Sequence, residues 1–413
     1  MKALPDQREY LELAHNLLNE RSLSFRDDRM SVMVRAFRMP GYPVFLAVCG
    51  GDARIARVAQ AVLDVSSALA AYLLARRWLP PHISTIAAGL VAFNPFLIYF
   101  SGLLLSETLF TAMLAWAMVL LTLRGTAVER WRAGLTWVVG VALLALSIHV
   151  RPSAIGLPLV LGVFAVFANR DPHVSAFQRR WPFPIAATTL ALTVLSLTPW
   201  AFRNYHVLGT WIWTTTNGGF TAYDGFNPDA TGASDQRFVR DMPHLVDLTE
   251  VERSRYLSQR AKDFIADNSS KAVELAGKKI VRTWSPLPLS EDFSKPLYIA
   301  AALAFALPFD LLVLVGLWRT NGSNRTYDKS PTTALIESNL SPRALPWAAK
   351  LLLVMPALYL TVIHAISVGS LRYRIPAEVP MAVIAASGVG IVYRKRSKLG
   401  WMEESSTKME VGR

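Results

Sequence analysis

Nine long apolar runs dictate what this chain can fold into: 53–75, 82–100, 103–123, 133–149, 152–168, 181–200, 296–318, 347–368 and 375–393. Most reach the roughly 17–25 residues that cross a ~30 Å hydrocarbon core. Backbone amides in lipid must find partners inside their own segment, so these runs read as membrane-spanning helices. The expected class is an all-α polytopic membrane protein, with six spans in 53–201 and three in 296–393. Polar sequence is gathered into two large blocks, 1–52 and 202–295, and chemistry is expected there.

Lys and Arg set the orientation. With Arg76 and Arg77 cytoplasmic, the same side collects Arg124, Arg130 and Arg132, then Arg170, Arg179 and Arg180. Arg319, Arg325, Lys329, Arg343 and Lys350 follow there, as does the tail 394–413. The short loops opposite hold only Arg151, Arg372 and Arg374. Both polar blocks are then external, and the linker 319–346 is cytoplasmic. Ser, Thr, Asn and Pro in that linker, and the composition beyond Lys398, predict disorder. The net charge of +13 is topology plus affinity for an anionic bilayer, with no call for nucleic acid. Residue 1 falls on the external side, and MKALPDQREY lacks the 7–15-residue apolar core of a signal peptide. A further spanning helix before Met1 is therefore expected.

Cys49 is alone and the seven histidines are scattered, so neither an intramolecular disulfide nor a structural metal or cofactor is expected. His149 and His364 stand in apolar runs and read as packed, hydrogen-bonded side chains. The Gly-x-Gly within SGVGIV, 387–392, follows no strand and is not a dinucleotide motif. Block 1–52 reads as short interfacial helices, with Leu11, Ala14, Leu17 and Leu18 on one face. A charged stretch then ends in a non-helical turn at Pro40, Gly41 and Pro43. In block 202–295, GTWIWTTTNGGF (209–220) predicts a hairpin or tight turn. Thr249 and Glu252 form a capping box that opens a helix with the stripe Leu257, Ala261, Phe264 and Ile265. A second helix, with Val273, Ala276, Ile280 and Trp284 opposite Lys278, Lys279 and Arg282, reads as lying on the bilayer.

Several charges stand out against this background. Asp6 precedes an amphipathic segment, where a carboxylate also simply suits a helix start. Glu107, in LLLSETLF, sits between apolar residues, where a charge is costly; alternatively it favours the dipole of a helix capped by Ser106. Arg151, Arg203 with Asn204, and Arg372 and Arg374 around Tyr373 mark three external helix ends. Each is open to reading as a snorkelling side chain. Together, carboxylates and guanidiniums on one face suit a phosphate ligand and a hydroxyl nucleophile.

These residues belong to a series of segments: Asp6–Tyr10 followed by LELA, RMPGYPVFLA (38–47), NPFLIYFSGLLLSETLF (94–110), PWAFRNY (199–205), TNGG (216–219), GFNPDATG (225–232) and SLRYRIPAEVP (370–380). In this order they resemble bacterial membrane glycosyltransferases of the GT-C class. The nearest likeness is to those related to protein O-mannosyltransferases and to the transferases of aminoarabinose or galacturonic acid onto lipid A. The resemblance implies a helix bundle with an external catalytic pocket. It also implies transfer of a sugar from a polyprenyl-phosphate carrier to a hydroxyl or phosphate on a lipid, glycan or protein, at the periplasmic face of the inner membrane. Asp6 and Tyr10 match an Asp-Glu-x-x-Tyr pattern in which Gln7 replaces the Glu. On that resemblance Asp6 is the general base and Glu107 the second acid. Arg38 meets the donor phosphate, helped by Arg203 or Arg372, with Tyr10, Arg151, Asn204, Tyr373 and Arg374 around the pocket. The implied reaction is a single inverting displacement without metal. A lipid-linked-sugar flippase would place its polar residues near the bilayer midplane. An O-antigen polymerase or ligase would use a diphosphate-linked donor.

Overall fold

The computed structural model describes residues 4–123, 130–168, 182–287, 296–318 and 345–410. The linker 319–344 lies outside the described residues, as do Arg124, Arg170, Arg179, Arg180, Arg319, Arg325, Lys329 and Arg343.

The chain opens with helix α1 (Pro5–Glu20) and an antiparallel two-stranded ribbon, β1 (Phe25–Asp27) and β2 (Val32–Val34). Helices α2 (Gly41–Val48), α3 (Ala53–Ala75), α4 (Pro81–Ala92), α5 (Pro95–Ser101) and α6 (Glu107–Thr122) follow. Next come α7 (Arg130–Ser147), α8 (Leu157–Ala168) and α9 (Pro182–Leu208). The second polar block forms α10 (Asn217–Gly225), α11 (Phe238–Asp241), α12 (Glu250–Asp267) and α13 (Ser269–Trp284). The chain closes with α14 (Pro296–Trp318), α15 (Trp347–Ala365) and α16 (Ile375–Glu410).

Five of these are long and apolar enough to span a membrane: α3, the Pro184–Leu208 part of α9, α14, α15 and the Ile375–Tyr393 part of α16. The run 82–100 is a broken span, bent by 51° between α4 and α5. Asn94 makes the break: its Oδ1 accepts from the backbone N–H groups of Phe96 and Leu97, ahead of Pro95 at the new helix start. Three apolar helices are shorter: Glu107–Thr122, Gly134–Ser147 and Pro152–Val166. At ~1.5 Å per residue, 16 residues reach about 24 Å, less than the ~30 Å core. The runs 103–123 and 133–149 lose residues at the ends next to Glu107 and Arg151.

The first half of α16 is the centre of the bundle, buried on nearly all sides and packed against α3, α4, α6, α14 and α15. Gly316 and Gly388 bring α14 and α16 together. A Cβ on Gly388 would lie 2.2 Å from the Leu312 carbonyl oxygen, and one on Gly316 2.2 Å from that of Ile384. Small residues at such a crossing are how helices associate in lipid. On α3, the exposed Val58, Val62, Val65 and Leu69 form an apolar stripe toward lipid.

Several local expectations need correction. On α1 the buried face is Gln7, Tyr10, Leu13 and Ala14, because Tyr10 packs edge-on against Tyr42 and Gln7 finds a backbone partner. Leu18 is left exposed. The charged stretch 21–38 contains the β1–β2 ribbon. Pro40–Pro43 opens α2 rather than a loop, since Pro is tolerated in a first helical turn. Gly41 is needed there, because its N–H donates to the His149 carbonyl at 2.7 Å and a Cβ would collide with that backbone. TNGG, expected in a hairpin, starts α10; Gly219 lies against the Ser254 backbone while Phe220 and Tyr223 are buried. The Ser106 side chain caps nothing. The capping box of Thr249 and Glu252 is present. On α13, Val273 and Ile280 are exposed as a bilayer-facing stripe requires, but Lys279 is buried with Ala272, Leu275 and Thr283. Beyond Lys398, α16 stays helical to Glu410, in a segment of Glu, Lys and Met that favours helix.

Lys279 yields a first prediction. It is 0% exposed, its Nζ has no hydrogen-bond partner, and it sits 3.3 Å from the Phe226 ring centroid. Burial pushes its pKa down to about 8. Lys279→Met is expected to stabilise the protein at pH 7 by about 1–4 kcal/mol, as replacing a buried charge by an apolar isostere does. Between about pH 8 and the unfolded value of ~10.4 the unfolded chain binds more protons, so the wild type gains stability as pH rises. The advantage of Lys279→Met should therefore shrink across that window in thermal unfolding of detergent-solubilised protein.

Candidate active site

α1, the β2–α2 segment, the start of α6, the α7–α8 turn and the 3₁₀ turn Leu371–Tyr373 meet at one end of the bundle. There six charged side chains interlock. Asp6 Oδ1 accepts from Arg38 Nη2 at 2.7 Å and Oδ2 from Arg372 Nη1 at 3.0 Å. Glu9, one turn further along α1, takes Arg38 Nε at 2.8 Å and Nη2 at 2.5 Å, both on Oε2. Arg372 Nε reaches Glu107 Oε1 at 2.8 Å, and Arg151 Nη1 reaches the same oxygen at 3.2 Å. Neither contact has hydrogen-bond alignment, and both Glu107 oxygens remain without a hydrogen-bond donor. These are ion pairs by proximity.

The cluster has two layers. Glu107 is 0% exposed, whereas Asp6 keeps 25% and Glu9 18% of its side chain open. Three carboxylates face three guanidiniums, so the site is close to charge-balanced. Burial alone would raise the Asp6 carboxyl, but the Arg38 and Arg372 guanidiniums outweigh it and hold Asp6 well below the usual carboxylate range. Glu9 moves up, because burial, with the Asp6 charge beside it, outweighs the Arg38 and Arg29 guanidiniums. Aromatic faces complete the site. Arg38 lies over Tyr10, and Arg151 and Arg372 both lie 5.4 Å from the Tyr373 ring. Tyr373 in turn stacks flat on His364, 3.8 Å between centroids.

The loop before Glu107 is pinned by neutral side chains. Gln7 Oε1 accepts from the Leu104 N–H at 3.0 Å. The fully buried Gln60 donates to the carbonyls of Ser101 and Leu103 and accepts from Tyr42. Gln7 thus does positional work where the resembling pattern has a Glu. Glu250, at the start of α12, holds the backbone N–H groups of Arg35 and Ala36 at 2.7 and 2.9 Å, and Thr216 Oγ1 at 2.6 Å. The second polar block thereby fixes the segment that carries Arg38.

The structure brings together Asp6, Glu107, Arg38, Arg372, Tyr10, Arg151 and Tyr373. It does not bring in Arg203, Asn204 or Arg374. Arg203 donates to the carbonyls of Arg35 and Leu23 and to Asn204 Oδ1, over the Trp200 ring. Asn204 donates to the Ile212 carbonyl. Arg203 clasps the ribbon region onto α9 and Asn204 ties down the segment that follows α9, because backbone carbonyls there need donors. Arg374 pairs with the buried Glu378 at 2.9 Å and with the carbonyls of Trp284 and Ser285, and Glu378 also takes Asn94. That network ties the α4–α5 break to α16. Sequence reasoning missed Glu9; its spacing of three from Asp6, which shares a helix face, was the available signal.

The helix bundle has the fold of a solved archaeal membrane protein. The oligosaccharyltransferase of Archaeoglobus fulgidus, in a crystal structure with Zn and sulfate, aligns with 94% of this chain and 45% of its own at 15% identity and a TM-score of 0.50. The same archaeal protein, AglB, with an inhibitory peptide and a dolichol-phosphate, covers 98% and 48% at 14% identity and 0.48. The chain thus spans about half the length of that protein. Residues 42–200 match the family of dolichyl-phosphate-mannose-protein mannosyltransferases. The matched part holds Glu107 and Arg151; Asp6, Arg38 and Arg372 lie outside it. No curated protein sequence matches the chain.

Proposed function

We propose that the chain is a membrane glycosyltransferase that moves a sugar from a polyprenyl-phosphate carrier to a hydroxyl acceptor at the external face. The observation that carries this reading is the paired guanidiniums of Arg38 and Arg372, held side by side by Asp6. Among the described residues Arg38 engages carboxylates through Nε and Nη2 and Arg372 through Nη1 and Nε, which leaves Arg38 Nη1 and Arg372 Nη2 for the non-bridging oxygens of one phosphate. The matched family supports it, since its name carries a dolichyl-phosphate-linked donor.

In this reaction the acceptor oxygen bonds to the anomeric carbon as the bond from that carbon to the phosphate oxygen breaks. The electron pair leaves on polyprenyl phosphate, configuration inverts, and a carboxylate of α1 takes the acceptor proton. Arg38 and Arg372 meet the growing phosphate charge, and Glu107 with Arg151 keeps Arg372 in place from below. Positioning and charge stabilisation supply most of the acceleration.

Purified protein incubated with a labelled polyprenyl-phosphate sugar and a membrane lipid extract should yield labelled product. Transfer only from diphosphate-linked donors would instead favour the polymerase or ligase reading, and movement of the intact carrier without transfer the flippase. The external face is checked with single-cysteine variants in a Cys49→Ala background. Ser270→Cys should react with an impermeant thiol reagent in intact cells, and Ser330→Cys only after permeabilisation. Equal labelling would contradict the assigned face.

A further inference from the structure

We infer that Glu9, not Asp6, is the proton acceptor, and that Asp6 is the strut that holds the two phosphate-binding guanidiniums together. This deepens the proposed reaction and rests on it.

Occupancy separates the three carboxylates. A general base needs a carboxylate oxygen within reach of the acceptor proton. Both Asp6 oxygens are taken, one by Arg38 and one by Arg372. Glu107 has no exposed surface and lies under Arg372. Glu9 receives both of its hydrogen bonds on Oε2, so among the described residues its Oε1 has no protein donor. Its side chain is partly open to the external face. It also shares Arg38 Nη2 with Asp6, which places it beside the guanidinium that meets the phosphate.

The charges reinforce this. Asp6, between two guanidiniums, is a weak base. Glu9 faces Arg38, with Asp6 and Arg29 nearby, and burial favours its protonated form, so it holds a proton more readily. A donor phosphate that draws Arg38 toward itself removes the counter-charge hydrogen-bonded to Glu9. The base is then strongest when the donor is seated. The acceptor O–H bond breaks, its proton goes to Glu9 Oε1, and the oxygen's electron pair forms the new glycosidic bond. The carrier leaves as the phosphate monoester. The proton then passes to that monoester, whose second pKa is about 6, or to water.

The test is a comparison of Glu9→Gln with Asp6→Asn in full-length protein in nanodiscs, using one labelled polyprenyl-phosphate sugar. Glu9→Gln should lower kcat by ~10²–10⁴-fold with little change in donor KM, the signature of a lost base rather than lost binding. Asp6→Asn should instead act chiefly through donor KM, because the guanidiniums lose their strut. The fall in wild-type kcat toward acid pH should disappear in Glu9→Gln. Because Glu9→Gln also frees Arg38, a second arm uses Glu9→Ala with added formate, an external carboxylate that restores a missing base but not a missing brace. Recovery of transfer by formate supports the assignment. Glu9→Gln that keeps more than about a third of wild-type kcat, well outside the general-base range, would overturn it, as would an absence of formate rescue. If the wild type transfers from phosphate-linked donors in either case, only the assignment of the base falls. A wild type that transfers nothing removes the reading of the site as well.

Discussion

Replacing Glu107 by Gln is expected to destabilise the protein by about 3–5 kcal/mol, the usual cost of removing one partner of a buried ion pair. Glu107 has no exposed surface and stands against two guanidiniums at once, Arg372 at 2.8 Å and Arg151 at 3.2 Å. The amide keeps the volume and removes the charge. Among the described residues Arg151, itself almost fully buried, then has no counter-ion and lies against the faces of Phe110 and Tyr373. Denaturant or thermal unfolding in detergent reads the loss. Adding Arg151→Met to Glu107→Gln should recover part of it, because the stranded charge is gone. A Glu107→Gln protein within about 0.5 kcal/mol of wild type, as at an ordinary surface site, would mean that the lower layer of the cluster is not a coupled unit.

The second large effect is on transfer. Arg372→Ala should lower kcat/KM by ~10²–10³-fold, as removal of one preorganised charge-stabilising donor does. Arg372 links the layers, touching Asp6 above and Glu107 below. Its loss removes a phosphate partner and lets Arg38 and Asp6 relax together. Arg372→Lys should recover little, since an ammonium cannot span both carboxylates as a guanidinium fork does. Arg374→Ala, two residues away, should behave differently. Arg374 belongs to the Glu378 network, so its loss should cost stability while folded protein retains transfer.

That contrast marks what could be read before the fold was known. Long apolar runs follow from lipid, a uniform and demanding solvent, so the helices and their order were legible. So was the capping box at Thr249, a local signal. Glu107, Arg151 and Arg372 were legible because charge at the edge of an apolar run needs a reason, Asp6 as a carboxylate at the start of an amphipathic segment, and Arg38 through the family resemblance alone. Their neighbours Arg203 and Arg374 look the same by that criterion, yet satisfy backbone carbonyls and a buried carboxylate. Only the three-dimensional direction of each side chain separates the two groups. The break at Asn94–Pro95 stood in plain view as a dipeptide, but the run around it is apolar throughout. TNGG carries a hairpin signal, and tertiary packing of Gly219 and Phe220 overrides it. Glu9 was hidden because one more acid in a polar segment is unremarkable until Arg38 is found on it.

In the proposed reaction Arg38 and Arg372 receive a phosphate-linked sugar donor. The most direct measurement is the initial rate of transfer from one labelled polyprenyl-phosphate sugar, followed against donor concentration for wild type and Arg372→Ala in nanodiscs. The wild type should show saturable transfer, and Arg372→Ala a loss of ~10²–10³-fold in kcat/KM. Transfer by a folded Arg372→Ala protein at the wild-type rate would contradict it.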